Sequence, residues 1–283
     1  VKMIRKPWLK HYDPDIPHTL EYPAVPVFHF LEETARKRPH SACTLFQGNA
    51  ITYQEMDALS SRLAAALSSL GLRKGQRAAL FMPNIPQFVL AFFGVLKTGG
   101  IVVAINPTYK EKETIFQLND SGATLVIAGS SARPLLDSIR PQTQVKTIIT
   151  TDMADSFQLS SLSAAAKGAQ PENTSPGQEN HHRDLLDLIA SFAEDEKPDI
   201  EINPQDAAIF QYSGGTSGAP KAAIGLHRNL VANIYQFRNL LDILKEGEET
   251  VLAAIPLFHV YGMVIGMGVA IRLGARLALV ANP

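Results

Sequence analysis

Tyr212-Ser213-Gly214-Gly215-Thr216-Ser217-Gly218-Ala219-Pro220-Lys221 decides the reading of this chain. Three glycines, three serine or threonine hydroxyls and one lysine fall within ten residues. Glycine lets the backbone turn tightly and brings its N–H groups close to a ligand. Successive N–H groups form an anion-binding concavity, and a lysine adds a mobile point charge. Together these parts suit a polyphosphate. Ala207-Ala208-Ile209-Phe210 leads into the loop and Ala222-Ala223-Ile224 leads out, which predicts strand, loop, strand. A Walker-type loop is excluded by spacing: it needs Gly-Lys, then Ser or Thr, at the mouth of a helix. Here Pro220 precedes Lys221 and Ala222 follows it. A solvated Gly/Ser turn would give no reason for a lysine at that offset.

Upstream of the loop, helix and strand patterns alternate. Thr52-Tyr53-Gln54-Glu55 is a capping box. It opens a helix with Met56, Leu59, Leu63, Leu67 and Leu70 inward, ending at Gly71. Arg77 to Phe81 reads as a strand. Pro86 starts a helix that Gly99-Gly100 stops, and Ile101 to Ile105 is a buried strand. A polar helix near 110–120, a strand from Thr124 to Ala128, a helix near 132–140 and a strand from Val145 to Thr150 follow. Downstream, Leu230, Ile234, Phe237, Leu241 and Leu244 recur at helical spacing. Then come a strand from Thr250 to Ile255, an apolar helix from Met263 to Leu273 and a strand from Arg276 to Val280. This alternation predicts an α/β fold of mostly parallel sheets flanked by helices. The expected organisation is an extended arm over 1–26, a first α/β segment over 27–152, a variable linker over 153–200 and a second α/β segment over 201–283. The linker is polar, apart from a short helix from Arg183 to Phe192. Its His181-His182 is expected to be a solvated pair, because no further metal ligands stand at definite spacing.

The segment Phe210 to Lys221, followed by His227-Arg228-Asn229-Leu230, resembles the AMP-binding signature of acyl-adenylate-forming enzymes. The likeness runs to bacterial long-chain fatty-acid–CoA ligases. It extends to Lys6-Pro7-Trp8-Leu9, Met82-Pro83-Asn84, Phe93 to Gly100, Ile105 to Tyr109, Leu118 to Ala123 and Pro256 to Gly262, and is weakest over 153–200. Ser213 stands where that family usually has Thr, and Ala222 where it has Gly; the first keeps the hydroxyl, the second bears on loop movement.

The resemblance implies a partial large N-terminal domain of the acyl-adenylate-forming fold and a two-step reaction. A carboxylate attacks the α-phosphorus of ATP, releasing pyrophosphate. The thiol of coenzyme A then takes the acyl group. ATP, Mg²⁺ and CoA as co-substrate are therefore the implied ligands, with a fatty acid. Tyr212, Ser213, Gly214, Gly215, Thr216, Ser217, Gly218, Ala219, Pro220 and Lys221 are the implied phosphate-binding set. Lys221 neutralises charge as pyrophosphate leaves, and Ser213 lies near Mg²⁺. His259 is implied beside the acid carboxylate and the α-phosphate. From the sequence alone it is equally readable as a packed histidine between Phe258 and Val260. Tyr261, Gly262, Met263 and Met267 are candidates for an adaptable acyl wall, or for ordinary core. An aryl-CoA ligase, a luciferase-like adenylating enzyme, and a nucleotide- or acyl-binding fragment without turnover are the alternatives.

The chain holds 26 Lys and Arg against 27 Asp and Glu, so no broad field for nucleic acid or acidic membrane is expected. One cysteine, Cys43, stands in a strand pattern and reads as a buried structural thiol, consistent with a reducing, cytoplasmic setting. No run is long and apolar enough to span a bilayer. Peripheral membrane contact and a homodimer are compatible with the resemblance. The family's Tyr-Gly-x-Thr-Glu segment, its later Thr-Gly-Asp segment and its C-terminal lid with a lysine do not occur in these 283 residues. The expectation is therefore an incomplete piece of a longer enzyme, inactive alone.

Overall fold

The structure, a computed structural model, describes residues 6–164, 181–193, 196–213 and 220–281. Helix α1 spans His29–Lys37, followed by β1 (Ala42–Phe46), β2 (Asn49–Thr52), α2 (Tyr53–Ser69), β3 (Arg77–Phe81), α3 (Pro86–Lys97) and β4 (Ile101–Ala104). Then come α4 (Glu111–Ser121), β5 (Leu125–Gly129), α5 (Arg133–Ile139), β6 (Thr147–Thr151) and α6 (Leu159–Ala164). After these follow β7 (His182–Asp184), α7 (Leu185–Ala190), β8 (Ala207–Tyr212), β9 (Ala222–Leu226), α8 (His227–Leu240) and β10 (Thr250–Ala253). A π-helix over Tyr261–Gly268 runs into α9 (Val269–Leu273), and β11 (Arg276–Leu279) follows.

Among the described residues the strands form two sheets. The larger runs β7-β6-β5-β3-β4-β8-β9 and is parallel except for the β8–β9 hairpin. The smaller runs β10-β11-β1-β2, with β10–β11 and β11–β1 parallel. Helix α3 explains how the two sheets share a core. All of its residues are buried. It packs against β3 and β4 of the larger sheet and against β1 of the smaller. A helix that is apolar all round needs such cover on both sides. Phe88, Phe93 and Leu96 are fully or almost fully buried there, each contributing about 1.5–3 kcal/mol of transfer free energy. Helices α4 and α5 cover the opposite face of the larger sheet, where Leu118, Leu136 and Ile139 meet Val103, Val126 and Ile148.

The capping box forms as expected: Thr52 accepts from the Glu55 N–H, and the Glu55 carboxylate accepts from the Thr52 N–H at 2.7 Å. Cys43 is buried within β1, and burial pushes its thiol up, so it stays protonated.

Three expectations change. The division between 27–152 and 201–283 does not separate the sheets: β8 pairs with β4, and β1 with β11. Strand order is set by long-range pairing, which local periodicity does not encode. The stretch 153–200 carries order as well. Its β7 extends the larger sheet beside β6 and leads into α7, where Asp184 caps the helix by accepting from the N–H groups of Leu186 and Asp187. The rest of that stretch, 165–180 and 194–195, lies outside the described residues. Finally, His182 is not a freely solvated side chain, because its Nε2 sits 2.7 Å from Asp137 Oδ1 on α5.

Candidate active site

The glycine-rich stretch sits at the turn of an antiparallel hairpin. Tyr212 of β8 pairs with Ala222 of β9, and the Ser213 N–H donates to the Lys221 carbonyl at 3.1 Å. That bond closes the neck of the loop. Gly214, Gly215, Thr216, Ser217, Gly218 and Ala219 lie outside the described residues. Ser213 and Lys221 are exposed at the neck and Pro220 is half-buried. Among the described residues, neither the Ser213 hydroxyl nor the Lys221 ammonium has a partner. An ammonium without a partner among the described residues, at the neck of a glycine-rich hairpin, fits a phosphate group.

Tyr212 is placed differently. Its ring is buried against α4, edge-on to Phe116, and its hydroxyl donates to Asp120 Oδ2 at 2.6 Å. Burial first, and then the Asp120 carboxylate, push the phenol up, so it remains a proton donor to Asp120. The side chain therefore anchors the end of β8 to α4.

His259 lies beyond the C-terminal end of β10, in the turn before the π-helix, with its side chain exposed. Its Nδ1 accepts from the Tyr261 N–H at 3.2 Å. That leaves Nε2 as the nitrogen that can donate outward in the neutral ring. The turn is tied to the glycine-rich hairpin through Gln211, whose Nε2 donates to the Phe258 carbonyl at 3.3 Å. The hairpin that carries Ser213 and Lys221 and the turn that carries His259 are thus linked through the Gln211 side chain at one end of the larger sheet. That is the carboxyl end of β8, where α/β sheets bind ligands.

Met263 and Met267 are buried, whereas Tyr261 is exposed and packs edge-on to Phe237. The two methionines line a small apolar void with Phe30, Phe92, Leu230 and Ile234. π-turns within helices recur at functional sites. Gly262 is required here, since a Cβ would meet the Pro256 carbonyl oxygen at 2.3 Å.

His227 begins α8 and is fully buried. Asn229 accepts from the Leu226 N–H at the start of this helix, and His227 Nδ1 accepts from the Val27 N–H at 3.2 Å. Burial pushes the imidazole down to about 4, against the pull of nearby Asp206. It therefore fastens the N-terminal segment to α8 as a neutral ring. The roles of Gln211 and Asp120 come from long-range pairing, which the local sequence does not encode.

Among the described residues no group of three His, Cys, Asp or Glu is placed to hold a metal, and no helix is long and apolar enough to cross a membrane. Ser213 offers one oxygen, so a Mg²⁺ there needs phosphate oxygens as further ligands.

The two sheets, with the β8–β9 hairpin at a strand end, share their fold with solved N-terminal regions of fatty-acid-CoA ligases. A family model described as AMP-binding enzyme matches residues 31–283, and the chain belongs to that family. It is 34% identical over 282 residues to the long-chain-fatty-acid–CoA ligase of Bacillus subtilis (strain 168), covering 97% of this chain and 50% of that protein. The chain thus spans about half the length of the curated relatives it matches. A crystal structure of a long-chain-fatty-acid-CoA ligase from Archaeoglobus fulgidus superposes with a TM-score of 0.77 at 22% identity, over 96% of this chain and 49% of that one. The inhibitor-bound N-terminal domain of FACL13 from Mycobacterium tuberculosis gives 0.75 at 26% identity, over 91% and 57%.

Proposed function

We propose that this chain is the ATP-gripping half of an AMP-forming acid–CoA ligase acting on fatty acids. The observation that carries the reading is the Lys221 ammonium, without a partner among the described residues, at the closed neck of the glycine-rich hairpin, with the His259 turn bonded to the same hairpin. The names of the relatives support the acid and the thiol.

In this reading Lys221 and the N–H groups of 214–218 hold the β- and γ-phosphates of ATP. The acid carboxylate attacks the α-phosphorus, the bond to the bridging oxygen breaks, and pyrophosphate leaves with its charge neutralised by Lys221. His259 donates through Nε2 to the carboxylate or an α-phosphate oxygen and orients the attack. The CoA thiol then attacks the acyl carbon and AMP departs. Mg²⁺, bound to phosphate oxygens with the Ser213 hydroxyl as a neighbouring ligand, would supply further charge neutralisation. Met263 and Met267 form part of the wall against which the apolar acyl chain lies. The protein works as a cytoplasmic enzyme, with peripheral contact to membranes that supply its acids.

The test joins this chain to the second half found in the Bacillus subtilis relative and supplies ATP, Mg²⁺, CoA and a series of fatty acids. AMP, pyrophosphate and acyl-CoA are expected, with none from residues 1–283 alone. A fusion that folds, binds ATP and forms no AMP with any acid contradicts the reading.

A further inference from the structure

The turn that carries His259 has little secondary structure of its own. Strand β10 ends at Ala253, and the π-helix begins at Tyr261. Between them Pro256 can donate no hydrogen bond. The turn is held instead by a side chain far away in sequence. Asn84, in the segment after β3, is 2% exposed. Its Nδ2 donates to the carbonyls of Ala253 at 2.9 Å and Ile255 at 3.1 Å, and its Oδ1 accepts from the Leu257 N–H at 2.7 Å. A side-chain amide has two N–H donors and one acceptor oxygen. All three functions are thus spent on one stretch of backbone.

From there the geometry passes directly to the histidine. The His259 N–H donates to the Pro256 carbonyl at 3.0 Å, within the stretch Asn84 clamps. The Met263 N–H donates to the His259 carbonyl at 2.9 Å, which ties the histidine to the entry of the π-helix. Gln211 supplies a second tie, to Phe258. The sheet does not need Asn84: β10 pairs with β11 over its full length, from Thr250 with Arg276 to Ala253 with Leu279.

We propose that Asn84 is a positioning residue for His259, setting the imidazole at the sheet end where the glycine-rich hairpin opens. This inference rests on the reading that His259 faces the reacting acid. Shorter or charged replacements lose it: Ala supplies no partner, and Asp keeps the acceptor for Leu257 but turns an oxygen towards two carbonyls.

The test is ¹⁵N-histidine NMR and amide hydrogen exchange on the 283-residue chain, comparing wild type with Asn84→Ala and Asn84→Asp. In wild type His259 is expected in one tautomer, with Nδ1 unprotonated, and Leu257 protected. In Asn84→Ala the His259 nitrogens should move to tautomer-averaged shifts and Leu257 exchange should quicken at least about tenfold, while the buried His227 keeps its shifts. If Asn84→Ala loses the His227 signature too, the decision passes to Asn84→Asp, judged on the His259 shifts alone because Asp keeps the acceptor for Leu257. Unchanged His259 and Leu257, or loss of His227 in both variants, overturns the proposal. The readout reports where His259 is held, not what it does. His259→Ala in the fusion described above reports separately on its chemistry.

Discussion

The Tyr212 hydroxyl donates to Asp120 Oδ2 at 2.6 Å, tying the strand that feeds the glycine-rich loop to helix α4. Asp120 is exposed, so water can replace a lost phenol. Tyr212→Phe is therefore expected to cost about 1 kcal/mol, the usual net worth of one hydrogen bond. Denaturant unfolding of Tyr212→Phe, Asp120→Ala and the double variant checks it. The coupling should recover that bond, and a double variant whose losses simply add would show that the pair does not interact.

His227 gives the chain a pH dependence whose sign is fixed by burial. Its folded-state value is lowered from 6.5 to about 4. Between those limits the unfolded chain takes up a proton that the folded chain refuses, so stability rises with pH. The contribution, about 3 kcal/mol, is fully present above pH 6.5 and is lost as pH falls through about 4. Unfolding free energies of wild type and His227→Gln, taken from neutral pH downward, should converge as pH falls. Curves that stay parallel would count against a buried neutral imidazole.

Lys97 ends α3 with its ammonium fully buried. Its Nζ lies 2.5 Å from Asp57 Oδ1 and donates to the hydroxyls of Ser60 at 2.8 Å and Ser61 at 2.9 Å. Burial pulls its pKa down, and Asp57 opposes this. Lys97→Ala removes the buried aliphatic stem as well as the ion pair and should cost about 2–5 kcal/mol, visible as a large fall in denaturant midpoint. Lys97→Met keeps the aliphatic stem, and the partly exposed Asp57 remains hydrated, so it should cost less than Lys97→Ala.

The π-helix offers a paired test. A Cβ at Gly262 meets backbone at 2.3 Å, whereas one at Gly266 has nothing within 4 Å. Gly262→Ala should destabilise by about 1–3 kcal/mol through overpacking. Gly266→Ala should be neutral or stabilise by up to about 1 kcal/mol. Thermal unfolding of the two variants separates them, and equal effects would argue against the tight approach of Gly262 to Pro256.

Much of this architecture is legible in the sequence because it is local. The Thr52 capping box, Pro86 at the start of α3 and the strand–loop–strand setting of 212–221 each depend on residues a few positions apart. What the sequence conceals is pairing at a distance. Asn84 reads only as part of a familiar-looking segment until its amide is found on the 253–257 backbone. Tyr212 reads as a loop residue until Asp120 claims its hydroxyl. Strand β7 hides in a polar stretch because three residues at a sheet edge carry too little alternation to register.

The most direct measurement of the phosphate grip is an NMR titration of this chain with Mg²⁺·ATP, pyrophosphate and AMP, in wild type and Lys221→Ala. Weak binding suffices for it. ATP and pyrophosphate should both shift the amides of Ser213 and Lys221, AMP should leave them unmoved, and Lys221→Ala should lose the response. Equal shifts with AMP and ATP, or a response of the 212–221 hairpin that survives Lys221→Ala undiminished, would contradict a role for this hairpin in holding the β- and γ-phosphates.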